Sequence, residues 1–423
     1  MSDTGRLEGR GTFAKASVRD AEVGDRRVLV RVDFNVPLAD GGAYGGRVTD
    51  DTRIRAALPT IELLRERGAK LICVSHLGRP KGEVVPSLSM APVATRLAEL
   101  IGAGVRVAQG VVGDPVEREV EGLARGEVVL LENSRFEPGE TENAPDLAAG
   151  LARLADIYVN DAFGAAHRAH ATTEGVAHHL PGYAGLLLER EVRELTAVRD
   201  APRRPLCIVL GGAKVTDKIG VIDRFLESAD RILIGGAMCF SFFRAQGVRT
   251  GDSLVEEEGV GLAREVLERA AGSSCELELP VDLVLGREFD AATEVREADG
   301  IEVPDGWIGL DVGPRTVERY AEAIASAGTV FWNGPMGAFE LEPFAAGTRG
   351  VADAVAVAAG FTVVGGGDSA AALAEFGLAD RVDWLSTGGG ASLELMEGRA
   401  LPGVEALLDR DGARSEDTKE TTS

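Results

Sequence analysis

The stretch "PLCIVLGGAKVTDKIG" occupies residues 205–220. A continuous apolar run meets a glycine doublet, and two lysines follow, four residues apart. An apolar residue at nearly every position is how a strand covered on both faces reads. The glycines mark a tight turn from strand to helix. Lys214 and Lys218 are expected on the helix start, facing the same way. Of 45 Lys+Arg, only six are lysine: Lys15, Lys70, Lys81, Lys214, Lys218 and Lys419. Two of them in one glycine-flanked stretch need a reason. Lysine is a compact, mobile point charge, while arginine is a broad fork. A flexible ammonium can follow a phosphoryl group whose oxygens change position in transit.

The same pattern recurs along the chain. Strands are expected at "RVLVRVD" (27–33), "KLICVSH" (70–76), "EVVLLEN" (127–133) and "DIYVNDA" (156–162). A second series is expected at "PLCIVLGG" (205–212), "DRILIGGA" (230–237), "ELPVDLVLG" (278–286), "TVFWNGP" (329–335), "GFTVVGGG" (360–367) and "VDWLSTGGG" (382–390). Amphipathic helices lie between, such as "DDTRIRAALPTIELLRERG" (50–68), with a cap at Asp50–Thr52 and a stop at Gly68. This alternation means parallel sheets with crossover helices, and two series mean two sheets. The break falls near "HHLPGYAGLLLEREVRELTAV" (178–198), where Pro181-Gly182 ends one unit. From Leu186 to Ala201 there is no Gly or Pro, which predicts a helix joining two domains. The expected fold class is α/β: two doubly wound, Rossmann-like parallel-sheet domains joined by a hinge helix, with a cleft between them.

Composition narrows the function. At roughly 150 residues per domain, 423 residues make two or three domains. The formal net charge of −23 argues against nucleic acid, whose binding needs a basic face. No apolar run approaches the ~20 residues of a membrane span. The N-terminus lacks the apolar core of a secretory signal. Cys73, Cys207, Cys239 and Cys275 are scattered with no CxxC pair, so they are expected reduced, in a cytoplasmic protein. Few lysines, many acids and the tail "DRDGARSEDTKETTS" point to a salt-rich cytoplasm. There the Debye length falls to ~3 Å at 1 M, and carboxylates keep the surface hydrated. Aromatic residues are only 5% of the chain, so a monomer is expected.

In open parallel sheets, ligands bind beyond the carboxyl ends of the strands. In the first half those ends carry Asp33, Asn35, His76, Arg79, Lys81, Asn133, Arg135, Asp161, His167, Arg168 and His170, and Arg53 opens the first helix. Four arginines crowding one edge of an acidic protein point to a small anion, because guanidinium forks suit phosphate and carboxylate. No acid or cysteine stands at ligand spacing with the histidines, so a metal cluster is not expected there. In the second half the ends are glycine-rich: "GGAKVTDKIG", "GGAMCF", "WNGPMGAFE", "GGGDSAA" and "TGGGASLE". Glycine lets backbone amides approach an anion, and a following helix N-terminus adds its dipole. GxxxxGK[ST] is absent, and no GxGxxG follows the first strand, which excludes a P-loop and disfavours a nicotinamide dehydrogenase.

The segments "VLVRVDFNVPL", "SHLGRPKG", "LLENSRFEPGE", "NDAFGAAHRAHA", "LGGAKVTDKIGVI", "FWNGPMGAFE", "VGGGDSAAAL" and "LSTGGGASLELMEG" together resemble the signature segments of phosphoglycerate kinases. The match runs in order from about residue 27 to 405. The resemblance implies an ATP-dependent phosphotransferase that moves a phosphoryl group reversibly between 1,3-bisphosphoglycerate and MgADP. It implies a glycerate site at Asp33, Phe34, Asn35, Arg53, His76, Leu77, Gly78, Arg79, Arg135 and Arg168. It implies a nucleotide site at Gly211, Lys214, Lys218, Gly309, Asn333, Glu340, Gly366, Gly367, Asp368 and Ser369. Arg53, Lys214, Lys218 and Gly389 become the catalytic set, and Asp368 the Mg2+ ligand. The implied domains are 1–185 for the glycerate, with ~395–408 packing back on it, and 186–394 for the nucleotide. An acidic disordered tail, 409–423, follows. Cys239 and Phe240 fall beside the expected nucleotide pocket, and Arg190 stands where such kinases often carry lysine. The alternative is a silent nucleotide- and anion-binding protein on the same scaffold. It predicts a lost charge at the centre, whereas Arg53, Lys214, Lys218 and Asp368 are all present.

Overall fold

The computed structural model describes residues 13–40 and 46–413. The N-terminal stretch before residue 13, part of the glycine-rich connection (41–45) and the tail from 414 lie outside them. The chain divides into two units: 13–193 with 400–413, and 194–399. The division falls inside the helix Leu186–Asp200.

The first unit holds six parallel strands. They are β1 (Arg27–Arg31), β2 (Lys70–Val74), β3 (Val105–Val107), β4 (Val128–Leu130), β5 (Ile157–Asn160) and β6 (Gly182–Ala184). Their spatial order is β3-β4-β2-β1-β5-β6. The central strands are buried along nearly their whole length, which is why they read as unbroken Val, Ile and Leu. Helix Thr52–Glu66 buries Ile54, Ala57, Ile61 and Leu64, one stripe at helical spacing. Asp50 Oδ1 accepts from the Thr52 amide at 2.8 Å. Gly68, at φ 76, ends the helix in a conformation that costs glycine little.

Residues 400–413 return to this unit. Asn160 Nδ2 donates to the Gly403 carbonyl at 2.9 Å, and the Leu408 amide to Gly182 at 3.0 Å. Lys15 and Asp409 form a 2.8 Å ion pair. Of the acidic tail expected from 409, residues 409–413 are held against this unit; the rest of it lies outside the described residues.

The second unit holds β7 (Leu206–Leu210), β8 (Arg231–Ile234), β9 (Glu276–Glu278), β10 (Leu283–Gly286), β11 (Val295–Ala298), β12 (Ile308–Val312), β13 (Thr329–Asn333), β14 (Phe361–Gly365) and β15 (Trp384–Leu385). Six form a parallel sheet in the order β15-β14-β13-β7-β8-β9. The chain grows from β7 toward β9, then returns to β13 on the other side of β7, so the order reverses between β7 and β13. That is the switch point at which such sheets bind ligands. The apolar run 278–286 departs from expectation. Its strand β10 joins β11 and β12 in a separate antiparallel sheet. Val284, Leu310 and Phe344 give that sheet its own small core, so an apolar run there did not mean a parallel partner.

Candidate functional site

In the first unit, the backbone beyond β1 and β2 is tied into one rigid edge. The Phe34 amide donates to Ser75 Oγ at 2.8 Å, and the buried Phe34 ring anchors the turn. Asn35 Oδ1 accepts from the Gly78 amide at 2.9 Å. The Leu77 amide donates to Asn133 Oδ1 at 3.0 Å, and the Gly78 carbonyl accepts from Arg135 Nη1 at 2.7 Å. Gly78 sits at φ 62, where a Cβ would lie 2.9 Å from the Leu88 side chain, so glycine is favoured.

Charge converges on this edge. Arg53 Nη1 donates to Asp33 Oδ2 at 3.0 Å. Burial opposes ionisation of Asp33, but His76, Arg53, Arg31 and the Asn35 amide outweigh it, and the pKa is lowered. Burial holds His76 well below the usual histidine range; Asp33 opposes this, and Arg31, Arg135 and Arg53 reinforce it. Around Arg135, burial and the charges of Arg31, Arg168 and Arg79 all act against another cation. Arg135 Nε is buried and has no hydrogen-bond partner. A crowd of guanidiniums with an unused buried donor suits an anion. Arg79 and Arg168 are exposed. Arg168 Nε donates to His167 Nε2 at 3.0 Å.

Two strand-end residues have structural work instead. Asn133 spends its amide on the Leu77 and Leu88 carbonyls at 2.7 and 2.9 Å. Asp161 Oδ1 accepts from the Leu187 amide at 2.9 Å and so caps helix Leu186–Asp200. Sequence reasoning passed over Arg31, which reaches this cluster from inside β1. Its signal is an arginine in the middle of a run otherwise fully apolar.

In the second unit, the expected groups gather where β7, β13 and β14 end. The Gly211 amide donates to the Asn333 carbonyl and the Gly212 amide to Pro335, both at 3.0 Å. A Cβ on Gly211 would lie 2.0 Å from the Pro335 carbonyl oxygen. The Gly334 amide donates to Ser369 Oγ at 2.6 Å, which locks the first turn of helix Gly367–Glu375 to β13. Gly366 caps that helix at φ 94.

Lys218 donates to Asn333 Oδ1. Burial pulls its ammonium below the ordinary lysine range; Asp217, Asp368 and Glu397 oppose the shift without cancelling it. Asn333 Nδ2 is buried without a partner, a donor left over at the switch point. The two lysines are not on a helix, as expected, but in the turn before it: the helix starts at Ile219, with Lys218 as its cap. The glycine turn, with Gly212 at φ 104, delays helix entry. Lys214 is exposed, and its charge is felt by Glu256 rather than by Lys218. Gly309 lies apart on β12, its amide donating to Ser253 Oγ at 2.9 Å. The Phe240 ring covers it so closely that a Cβ would fall 2.2 Å from a ring carbon. Glu340 is exposed on a turn, and Gly389, at φ 53, precedes the short helix Gly390–Met396.

Asp368 is exposed in the first turn of its helix, and a Cβ on the adjacent Gly367 would meet nothing within 4 Å. One accessible carboxylate beside open backbone fits Mg2+, which binds through one or two carboxylates plus phosphate oxygens and water. Among the described residues no three His, Cys, Asp or Glu side chains could hold a metal ion by themselves. No helix among them is long and apolar enough to cross a membrane.

Known proteins share this architecture and much of this sequence. The family model for phosphoglycerate kinase matches residues 18–399. The phosphoglycerate kinase of Rubrobacter xylanophilus is 56% identical over 397 residues, covering 94% of this chain and 99% of that protein. That of Moorella thermoacetica is 53% identical over 398 residues, 94% of this chain and 100% of the other. Among solved structures, phosphoglycerate kinase from Coxiella burnetii has a TM-score of 0.83 and 39% identity, over 93% of this chain and 98% of that one. The Pyrococcus horikoshii enzyme has a TM-score of 0.81 and 33% identity, over the same shares. With an arginine-lined edge on one parallel sheet and a lysine–asparagine switch point on the other, matched over nearly its whole length, the chain belongs to the phosphoglycerate kinase family.

Proposed function

We propose that the two sheet edges divide the phosphoglycerate kinase reaction between them. The activity itself is that of an ATP-dependent phosphotransferase acting on phosphoglycerate and ADP/ATP in glycolysis. The alternative of a silent binding protein is not favoured.

Arg135, Arg168, Arg53 and His76 grip the phosphate and carboxylate of the glycerate. Asp33, Asn35 and the Leu77–Arg79 turn hold those groups in place. The observation that carries this reading is the cation-crowded Arg135, whose buried Nε has no hydrogen-bond partner. Like-charge repulsion makes the empty edge unfavourable and an anion the natural partner.

On the other sheet, the amides after β7 and β14, with Asn333, Gly309 and Glu340, hold the nucleotide, and Ser369 fixes the turn they sit on. Asp368 holds Mg2+, which when bound supplies charge neutralisation of the nucleotide phosphates. Phosphoryl transfer needs in-line positioning and neutralised charge more than covalent chemistry. Arg53 and Lys218 neutralise the transferring group, Lys214 adds positive charge, and the amides near Gly389 assist. No activated nucleophile is required.

A salt-rich cytoplasm belongs to the same proposal, supported by the net charge of −23. A coupled assay with 3-phosphoglycerate and MgATP, run from low salt to molar KCl, tests both parts. Turnover that rises with salt is expected. Absence of turnover at every salt concentration overturns the catalytic reading, and steady loss of activity with KCl overturns the salt-rich setting.

A further inference from the structure

Arg31 is only 1% exposed, within β1. A charge so buried must spend its donors well. Its Nε donates to Thr172 Oγ1 at 2.9 Å, and its Nη1 to the Val32 carbonyl. Its Nη2 lies 3.1 Å from His76 Nδ1. Thr172 is itself fixed: its hydroxyl donates to Glu140 Oε1 at 2.6 Å and its amide to Oε2 at 3.1 Å. Glu140 is fully buried, so a carboxylate balances the guanidinium through one threonine.

A guanidinium can only donate. The ring nitrogen facing it must therefore accept, and the single proton of the neutral imidazole sits on Nε2. An imidazolium would set N–H against N–H. Of the charged groups around His76, Asp33 favours a cation there, while Arg31, Arg53 and Arg135 oppose one. We infer that Arg31 is a positioning residue of the glycerate site, held by Thr172 and Glu140, that fixes His76 as a neutral Nε2–H donor for the anionic substrate. This rests on the proposed contact between His76 and the glycerate. It assigns a role to a residue that need not touch the substrate.

The test is long-range 1H–15N NMR of histidine-labelled full-length protein, with the His76 signal identified by its loss in His76→Gln. The expected result is one neutral Nε2–H tautomer from about pH 6 to 8, around the ordinary histidine pKa. In Arg31→Met both tautomers should appear. The KM for 3-phosphoglycerate should rise about tenfold, the size of one lost hydrogen bond to an ion, with the KM for ATP unchanged. If Arg31→Met does not fold, Thr172→Val loosens the same guanidinium, and the wild-type spectrum alone still decides. An Nδ1–H tautomer or an imidazolium in the wild type overturns the inference. So does an Arg31→Met protein with a single Nε2–H tautomer and unchanged KM. A single Nε2–H tautomer in the wild type together with an unchanged 3-phosphoglycerate KM in His76→Gln overturns instead the glycerate contact.

Discussion

Lys218 and Asn333 lie 115 positions apart, yet the lysine ammonium donates to the asparagine Oδ1 at the point where the strand order reverses. The contact gives a mobile cation a fixed resting place beside the glycine turns. If Lys218 neutralises the transferring group, Lys218→Ala lowers kcat by about 10³. Asn333→Ala, which frees the lysine but leaves its charge, costs about 10- to 100-fold. Steady-state kinetics beside circular dichroism checks both. Near-normal turnover in Lys218→Ala contradicts the role.

Arg53 is paired with Asp33 at 3.0 Å but keeps 39% of its side chain exposed. A pair so open contributes little to stability, so its value lies in aiming the guanidinium. Arg53→Ala is expected to lower kcat by about 10² or more while the Tm barely moves. Asp33→Asn should raise the KM for 3-phosphoglycerate by about tenfold by letting Arg53 wander.

Two buried groups give opposite pH dependences. Burial lowers His170 to about 4, and Arg31, Arg135 and Arg168 reinforce it. The unfolded chain takes up that proton near pH ~6.5, so stability falls as pH drops through this window. Burial raises Asp161 to about 7, against hydrogen bonds from Thr60, Leu188 and Leu187. The folded chain holds that proton longer, so its contribution is present at low pH and lost as pH rises toward 7. Urea unfolding across pH should show a flatter acid limb in His170→Asn. The stability gain of Asp161→Asn should grow up to about neutral pH and then level off, on the order of a few kcal/mol.

The close approach of β7 and β13 makes a sharp stability prediction. Gly211→Ala places a methyl 2.0 Å from the Pro335 carbonyl oxygen and 2.7 Å from that of Gly334. Backbone cannot step aside as a side chain can. A loss of about 2 kcal/mol or more is expected, read by denaturant midpoint. Gly212→Ala meets nothing within 4 Å, and its cost comes only from φ 104.

What the sequence revealed follows from burial. Strands such as Leu206–Leu210 and Phe361–Gly365 are buried throughout, and composition announces them. Edge strands do not: Val105–Val107 exposes its arginine, and Glu276–Glu278 is largely polar. The run 278–286 hid an antiparallel strand because an apolar segment carries no direction. Candidate site residues at strand ends stood out by type. Arg31 did not, because only the fold shows that Thr172 and Glu140, more than a hundred positions away, make its burial tolerable. Likewise, the spacing of Lys214 and Lys218 suggested one helical face, but Gly212 turns the chain before the helix begins.

The division of labour between the two sheets is tested most directly by calorimetric titration of 3-phosphoglycerate and MgADP into Arg135→Ala and Asp368→Ala. The account predicts a crossed result: Arg135→Ala loses the glycerate and keeps the nucleotide, while Asp368→Ala weakens MgADP and keeps the glycerate. If each variant impairs the other ligand, or both ligands equally with the fold intact, the account is contradicted.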